Sequence, residues 1–300
     1  MPGMLNLLRS NLPDRLAKAV AATFGGLAVL VMVLVLVMVS GASAPSMADS
    51  ESDRAAFRQA FSDAITDPVM LAAVTDMAEL GPEKTPIFRR YIKEVMTDPT
   101  FLDRITDEIV ASGLLGTING PEAAFETGFS LGYEIVVAIT TRGLSKMSHD
   151  DIHAFFSLMS EIFTAVEPRY CRVMMQQQGA TQDAQIETSY AVMRGMDLSQ
   201  FRAYLSISQA AIRAELSAMM PRDVPSAAQM DLANQSFVMK FDAALMALPD
   251  PRGVIASLST PHAATDMNFC DAGSLMFGVL ADMDGLTGQW MRLATLAAVE

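Results

Sequence analysis

Apolar residues recur three and four positions apart along most of the chain beyond residue 52, the spacing of helices with one buried face. Caps and breakers divide that pattern into elements. Ser52 caps a helix carrying Phe57, Phe61 and Ile65; Asp67-Pro68 opens a second that runs to Gly81; Thr85-Pro86 opens a third, and Asp98-Pro99 a fourth ending near Gly113. Residues 113–120, with Gly113, Gly116, Asn119 and Gly120, form a turn-rich connection and a candidate sub-boundary. Pro121 starts a long helix to about Met147, with Phe125, Phe129, Val136 and Ile139 on its apolar face.

Ser148, with Asp151 three residues on, starts a helix containing Ile152, Phe155, Phe156, Met159 and Phe163. Glu167-Pro168 leads into a helix bearing Cys171 and closed at Gly179, and Thr181 into another closed at Gly195. The two most regular patterns follow: Leu198, Phe201, Leu205, Ile212 and Leu216, then Met230, Phe237, Phe241 and Leu245. After Pro249 and Pro251 the pattern lapses into a turn-like segment as far as Thr260-Pro261. A helix with Cys270, Leu275 and Leu280 follows, Gly285 breaks it, and Thr287 to Val299 forms the last. No run alternates with a period of two. The expected fold is therefore all-α, about ten helices in a bundle-like or irregular solenoid-like body over residues 52–300.

Thr66-Asp67-Pro68, with Leu71 and Thr75-Asp76, recurs as Thr97-Asp98-Pro99 with Leu102 and Thr106-Asp107, an offset of 31 residues. Thr-Asp-Pro is a good helix start in its own right, which accounts for three of the six matches. The other three point to a two-copy helical repeat.

Ahead of the helical body, Ala19 to Val39 is an uncharged stretch. As a helix it reaches about 30 Å, the thickness of a bilayer core, and reads as a transmembrane anchor or signal core. Arg9, Arg15 and Lys18 in residues 1–18 precede it, and Asp49, Glu51 and Asp53 follow, so the basic tip (1–18) stays cytoplasmic and the bulk is exported, to the periplasm if the cell is bacterial. Ser, Ala and Pro make residues 40–51 a linker. Small-x-small sites at Ala42-Ser43-Ala44 and Ser46-Met47-Ala48 offer the alternative of a cleaved leader.

The chain carries a net charge of −13, and setting aside Arg9, Arg15, Lys18 and Asp14 leaves 18 basic and 33 acidic residues, about −15. That field argues against nucleic acid and allows a basic protein partner, for which Glu122, Glu126 and Glu134 form a candidate stripe. There are two cysteines, Cys171 and Cys270, both in the exported part. In an oxidising compartment they are a candidate disulfide; as free thiols they would be small buried hydrophobes.

Candidate chemistry is sparse. His149 and His153 lie one helical turn apart, and His262, Asp266 and Cys270 repeat the same step on a second helix. Were those helices to touch, His149, His153, His262 and Asp266 could hold zinc or another transition metal, with a metal-dependent hydrolase as the implied activity. Against this, Asp150 and Asp151 sit where carboxylates complement a helix dipole, Asp150 replaces the Glu of HExxH, and a bridged Cys270 supplies no thiolate. Gly128-Phe129-Ser130-Leu131-Gly132 matches the GxSxG elbow, but that motif needs a strand before it, and Glu122 to Thr127 reads as helix. The methionine pairs Met174-Met175 and Met219-Met220 read as core filler rather than copper ligands. No catalytic residue and no resident cofactor is expected. The expectation is a membrane-anchored exported protein acting by protein–protein contacts, an accessory or scaffold of an envelope assembly. Its rivals are a metal protein and a soluble periplasmic binding factor.

Overall fold

The computed structural model describes residues 66–111, 135–176, 181–217 and 222–297, with Arg54, Ala55, Arg58, Gln59, Ser62 and Asp63 before them. All regular structure among these residues is helical, as the sequence pattern predicts. No helix among them is long and apolar enough to cross a membrane. The stretch 19–39, both leader cleavage sites, the 113–120 connection, the GxSxG motif, the glutamate stripe and Met219-Met220 lie outside the described residues. The chain divides into two compact units between Ile139 and Thr140.

In the unit ending at Ile139, helical Arg54, Ala55, Arg58, Gln59, Ser62, Asp63 and Thr66 precede α1 (Pro68–Met77), α2 (Gly81–Met96) and α3 (Pro99–Ala111). The six repeated positions do the same work in both copies. Thr66 and Thr97 donate their hydroxyls to the carbonyls of Ser62 and Lys93, at 3.0 and 2.7 Å. Asp67 and Asp98 accept the backbone N–H of Val69 and Thr100, at 2.7 and 2.9 Å, and so cap α1 and α3. Thr75 and Thr106, both buried, donate back to Leu71 and Leu102. Asp76 and Asp107 each pair with an arginine, Arg89 and Arg54 respectively. The match also runs upstream, since Phe57-Arg58 recurs as Phe88-Arg89.

Two boundaries differ from the pattern's prediction. α1 stops at Met77, because Glu79 turns to φ 49° and Gly81 to φ 74°. α2 then begins at Gly81-Pro82, leaving Pro86 inside it, near enough to the start that the lost N–H costs one early hydrogen bond.

In the unit from Thr140, helical residues 140–144 are followed by α4 (His149–Ala165), α5 (Pro168–Gln176), α6 (Gln182–Gly195), α7 (Leu198–Leu216), α8 (Ala227–Met246), α9 (Pro251–Ser259), α10 (Asp266–Asp282) and α11 (Gly285–Ala297). α10 is apolar nearly all round and buried from Asn268 to Ala281 on most of its positions, so it is the central helix. α4, α5, α8, α9 and α11 pack around it.

α4 and α10 run antiparallel: Phe155 meets Phe277, Ser160 donates to the Ser274 carbonyl at 2.9 Å, and Phe163 lies on Gly273. A Cβ at residue 273 would fall 2.4 Å from the Phe163 ring, so only glycine admits the aromatic cluster of Phe155, Phe156, Phe163 and Phe277.

The segment read as a turn after Pro249 is helix α9. Asp250 accepts the Gly253 N–H at 2.9 Å, Pro251 occupies the first turn where a proline fits, and Val254 and Leu258 are buried.

Candidate functional site

The histidines and Asp266 do not assemble as the sequence suggests. His149 is the first residue of α4, whose cap Ser148 accepts the Asp151 N–H at 3.1 Å. Burial and then the charges of Arg222 and Arg292 hold its imidazole below the ordinary histidine range. His153 is exposed one turn on. His262 is not on a helix with Asp266: it sits in a separate 3-10 turn, Pro261–Ala263, because α10 starts only after Thr265 and Asn268 form a reciprocal capping box. Antiparallel packing puts His149 beside the end of α10, whereas His262 precedes its start. Since α10 has 17 residues, the two imidazoles stand on the order of 25 Å apart.

Asp266 is committed elsewhere. It accepts from Arg172 Nε, whose Nη1 and Nη2 reach the carbonyls of Pro261 (3.2 Å) and Ala264 (2.7 Å) while the guanidinium stacks on Phe269 at 4.5 Å. Cys270 is bonded to Cys171, a disulfide joining α10 to α5 across 99 residues of sequence. Both cysteines are buried, and Arg172 is next to the bridge. Among the described residues, no three of His, Cys, Asp and Glu side chains form a group able to hold a metal. Met174 and Met175 are both buried, as core filler would be.

Other charged groups hold helix ends. Buried Arg292 donates from Nη1 to the carbonyls of Leu280 (2.6 Å) and Met283 (3.0 Å), and Lys240 donates to Asp282 O at 2.6 Å, so two cations cap the C-terminus of α10. Burial lowers the Arg292 pKa, with Asp284 pulling the other way. Glu215, near the end of α7, accepts from Lys146 at 2.5 Å and Arg142 at 2.9 Å. Burial alone would raise its pKa, but the two hydrogen-bonded cations outweigh burial and hold the carboxyl below its usual range. Asp271 is pushed up by burial and by Asp250, which is engaged with Asn268 at 3.0 Å.

One feature that sequence reasoning passed over lies in the unit ending at Ile139. An open groove of about 1180 Å³ is lined by Arg54, Arg58, Gln59, Ser62, Asp103 and Asp107 among others. Arg54 pairs with Asp107, and Arg58 with Asp103 at 2.7 Å. The signal was present as two arginines, Arg54 and Arg58, and two aspartates, Asp103 and Asp107, each couple one helical turn apart on its own helix. All four side chains are roughly half exposed, which makes the groove a polar contact surface rather than a buried reaction centre. Comparison with known families, curated proteins and solved structures returned no match to this chain.

Proposed function

We propose that the chain is a membrane-tethered, exported helical protein that works through protein contacts, as an accessory or scaffold component of an envelope assembly. The observation that carries the compartment is the bridge between its only two cysteines, because disulfides persist in oxidising compartments. The apolar stretch 19–39, with basic residues before it and acidic residues after, supports the tether. The contact role is supported by what the polar side chains do: Arg172, Arg292, Lys240, Glu215 and Asp250 are each engaged in holding helices together, while the charge left on the surface is largely acidic. Solubilising the membrane fraction in mild detergent and purifying the chain tests this. A partner in stoichiometric amount is expected, and a chain that emerges alone counts against the reading.

The small-x-small sites before residue 49 favour one variant of this reading, a leader that is cleaved to give a soluble periplasmic factor. A mature N-terminus at Pro45 or Asp49 by mass spectrometry would select it. The metal reading now rests on His149 and His153 alone, one turn apart on α4. Stoichiometric zinc in protein purified without chelator would revive it.

A further inference from the structure

α8 has two apolar faces, and the core uses one. Ala233, Phe237, Phe241 and Leu245 are buried. On the opposite side Leu232, Met239 and Met246 are 55%, 68% and 70% exposed. These three lie seven residues apart, and exposed Ala228 and Ala243 fall in the same stripe. A residue every seven is one of the two rows of a helix-packing seam; the second row between its members holds Ser236 and Ala243, small enough to let another helix approach. Methionine suits a contact surface because its unbranched thioether adapts to what covers it.

The charge beside the seam has a sign. Exposed Asp231 and Asp242, eleven residues and so about three turns apart, share one edge. Lys240, across the stripe, is engaged with the Asp282 carbonyl. The chain as a whole is at −13.

We propose that this stripe docks an amphipathic helix of a basic partner protein, its apolar seam on Leu232, Met239 and Met246 and its Lys or Arg side chains along Asp231 and Asp242. A second copy of this chain is the poorer occupant. In an antiparallel pair of α8 helices the two Asp-bearing edges would lie side by side, and like charges there cost affinity. The proposal rests on the contact reading above and gives it an address.

The test uses the full chain in nanodiscs of zwitterionic lipid, with empty discs as the baseline. The probe is a fluorescent designed helix of about three heptads with Leu at the seam and Lys on both flanks, compared with a twin bearing Glu on the flanks. The Lys peptide is expected to bind about tenfold tighter than the Glu peptide. L232S/M239S/M246S, which leaves the charge unchanged, should weaken it by about tenfold, while D231N/D242N should remove most of the preference for Lys. Circular dichroism melts matching the parent show that these exposed substitutions leave the fold intact.

Equal binding of the Lys peptide to the triple-serine variant would overturn the proposal, since net charge alone would then explain it. So would equal binding of the two peptides, or a dimer of the parent chain that the triple-serine variant dissolves. A native partner that co-purifies equally with parent and triple-serine chains refutes this docking site and leaves the contact reading standing; no partner with either refutes both.

Discussion

Reducing the Cys171–Cys270 bridge tests the link between fold and compartment most directly. The bridge closes a loop of 99 residues between α5 and α10. In the chain-entropy model a loop of about 100 residues contributes roughly 4.7 kcal/mol at 25 °C by restricting the unfolded chain. That is about 30% or more of the roughly 5–15 kcal/mol typical of a whole domain. Both sulfurs are buried, and a reduced Cys171 thiol beside the Phe163 carbonyl, 3.8 Å away, regains only a weak S–H hydrogen bond. At about 2–4 °C per kcal/mol for a unit of this size, C171A/C270A should melt roughly 10–20 °C below the parent. The parent in strong reductant should shift toward the variant. Calorimetry with and without reductant reads both, and trapping of thiols by alkylation in intact cells reads the bridge where it forms. A bridge worth less than about 1 kcal/mol would refute the loop-entropy reasoning. Two free thiols in freshly trapped cells would remove the observation on which the exported reading rests.

Three further substitutions probe the packing and the charges. Gly143→Ala would place a Cβ 1.9 Å from the backbone oxygen of Ala211, which cannot rotate aside. Overpacking of about 1–3 kcal/mol should outweigh the roughly 1 kcal/mol of helix propensity gained, so the melting point falls. Gly278→Ala meets only the Ser160 side chain, its hydroxyl at 3.0 Å, so the roughly 1 kcal/mol of helix propensity gained should offset the disturbance of the Ser160–Ser274 bond and leave stability within about 1 kcal/mol of the parent. Glu215→Gln removes a nearly buried carboxylate from Lys146 and Arg142 and should cost about 2 kcal/mol at neutral pH. Because the folded pKa of Glu215 is depressed, its stabilisation is present above the unfolded value of 4.5 and lost as the pH falls through the folded pKa. Denaturant midpoints across that range should therefore converge for parent and variant in acid.

What the sequence made legible was local. Ser148 with Asp151, and Thr181 before α6, are caps whose chemistry lies within three residues of itself, and the structure places the helix starts there. The repeated Thr-Asp-Pro was legible for the same reason. Where one residue has two local uses, the reading failed. Pro251 can break a helix or open one. Asp250-Pro251 repeats the Asp-Pro start of α1 and α3 and Asp250 caps Gly253, but Pro249 just before it masked that signal, and the burial of Val254 and Leu258 completes the choice for opening. Pro261 likewise opens a 3-10 turn rather than α10, which removes His262 from the face that carries Asp266. Long-range geometry was not legible. That Cys171 and Cys270 meet across 99 residues, and that Gly273 admits the Phe163 ring between α4 and α10, are contacts between distant segments that no spacing in the sequence contains.

The antiparallel pairing of α4 with α10 separates the histidines, and the corner it leaves fixes how α8 is presented. Gly285, at φ 63°, turns the chain from α10 into α11, and Gly288 lets α11 pass so close that a Cβ there would sit 2.0 Å from Met283 O. Arg292, 5% exposed, fills that corner with its guanidinium on the last carbonyls of α10. Lys240 ties α8 to the same turn. A backbone held this way loses little entropy on docking, so the ordering cost falls on the side chains of Leu232, Met239 and Met246.

Arg292→Met is the variant that isolates the corner. It removes a buried charge, which by itself is favourable, but strands the Leu280 and Met283 carbonyls, each at about 1–3 kcal/mol. The second effect involves two acceptors and should win, lowering stability by about 2 kcal/mol or more and speeding amide exchange in the last turn of α10. An Arg292→Lys chain, with one ammonium to offer the same carbonyls, should fall between. If the methionine variant proves as stable as the parent, with unchanged exchange at Asp282 and Met283, the corner is held by apolar packing and the guanidinium is incidental to it.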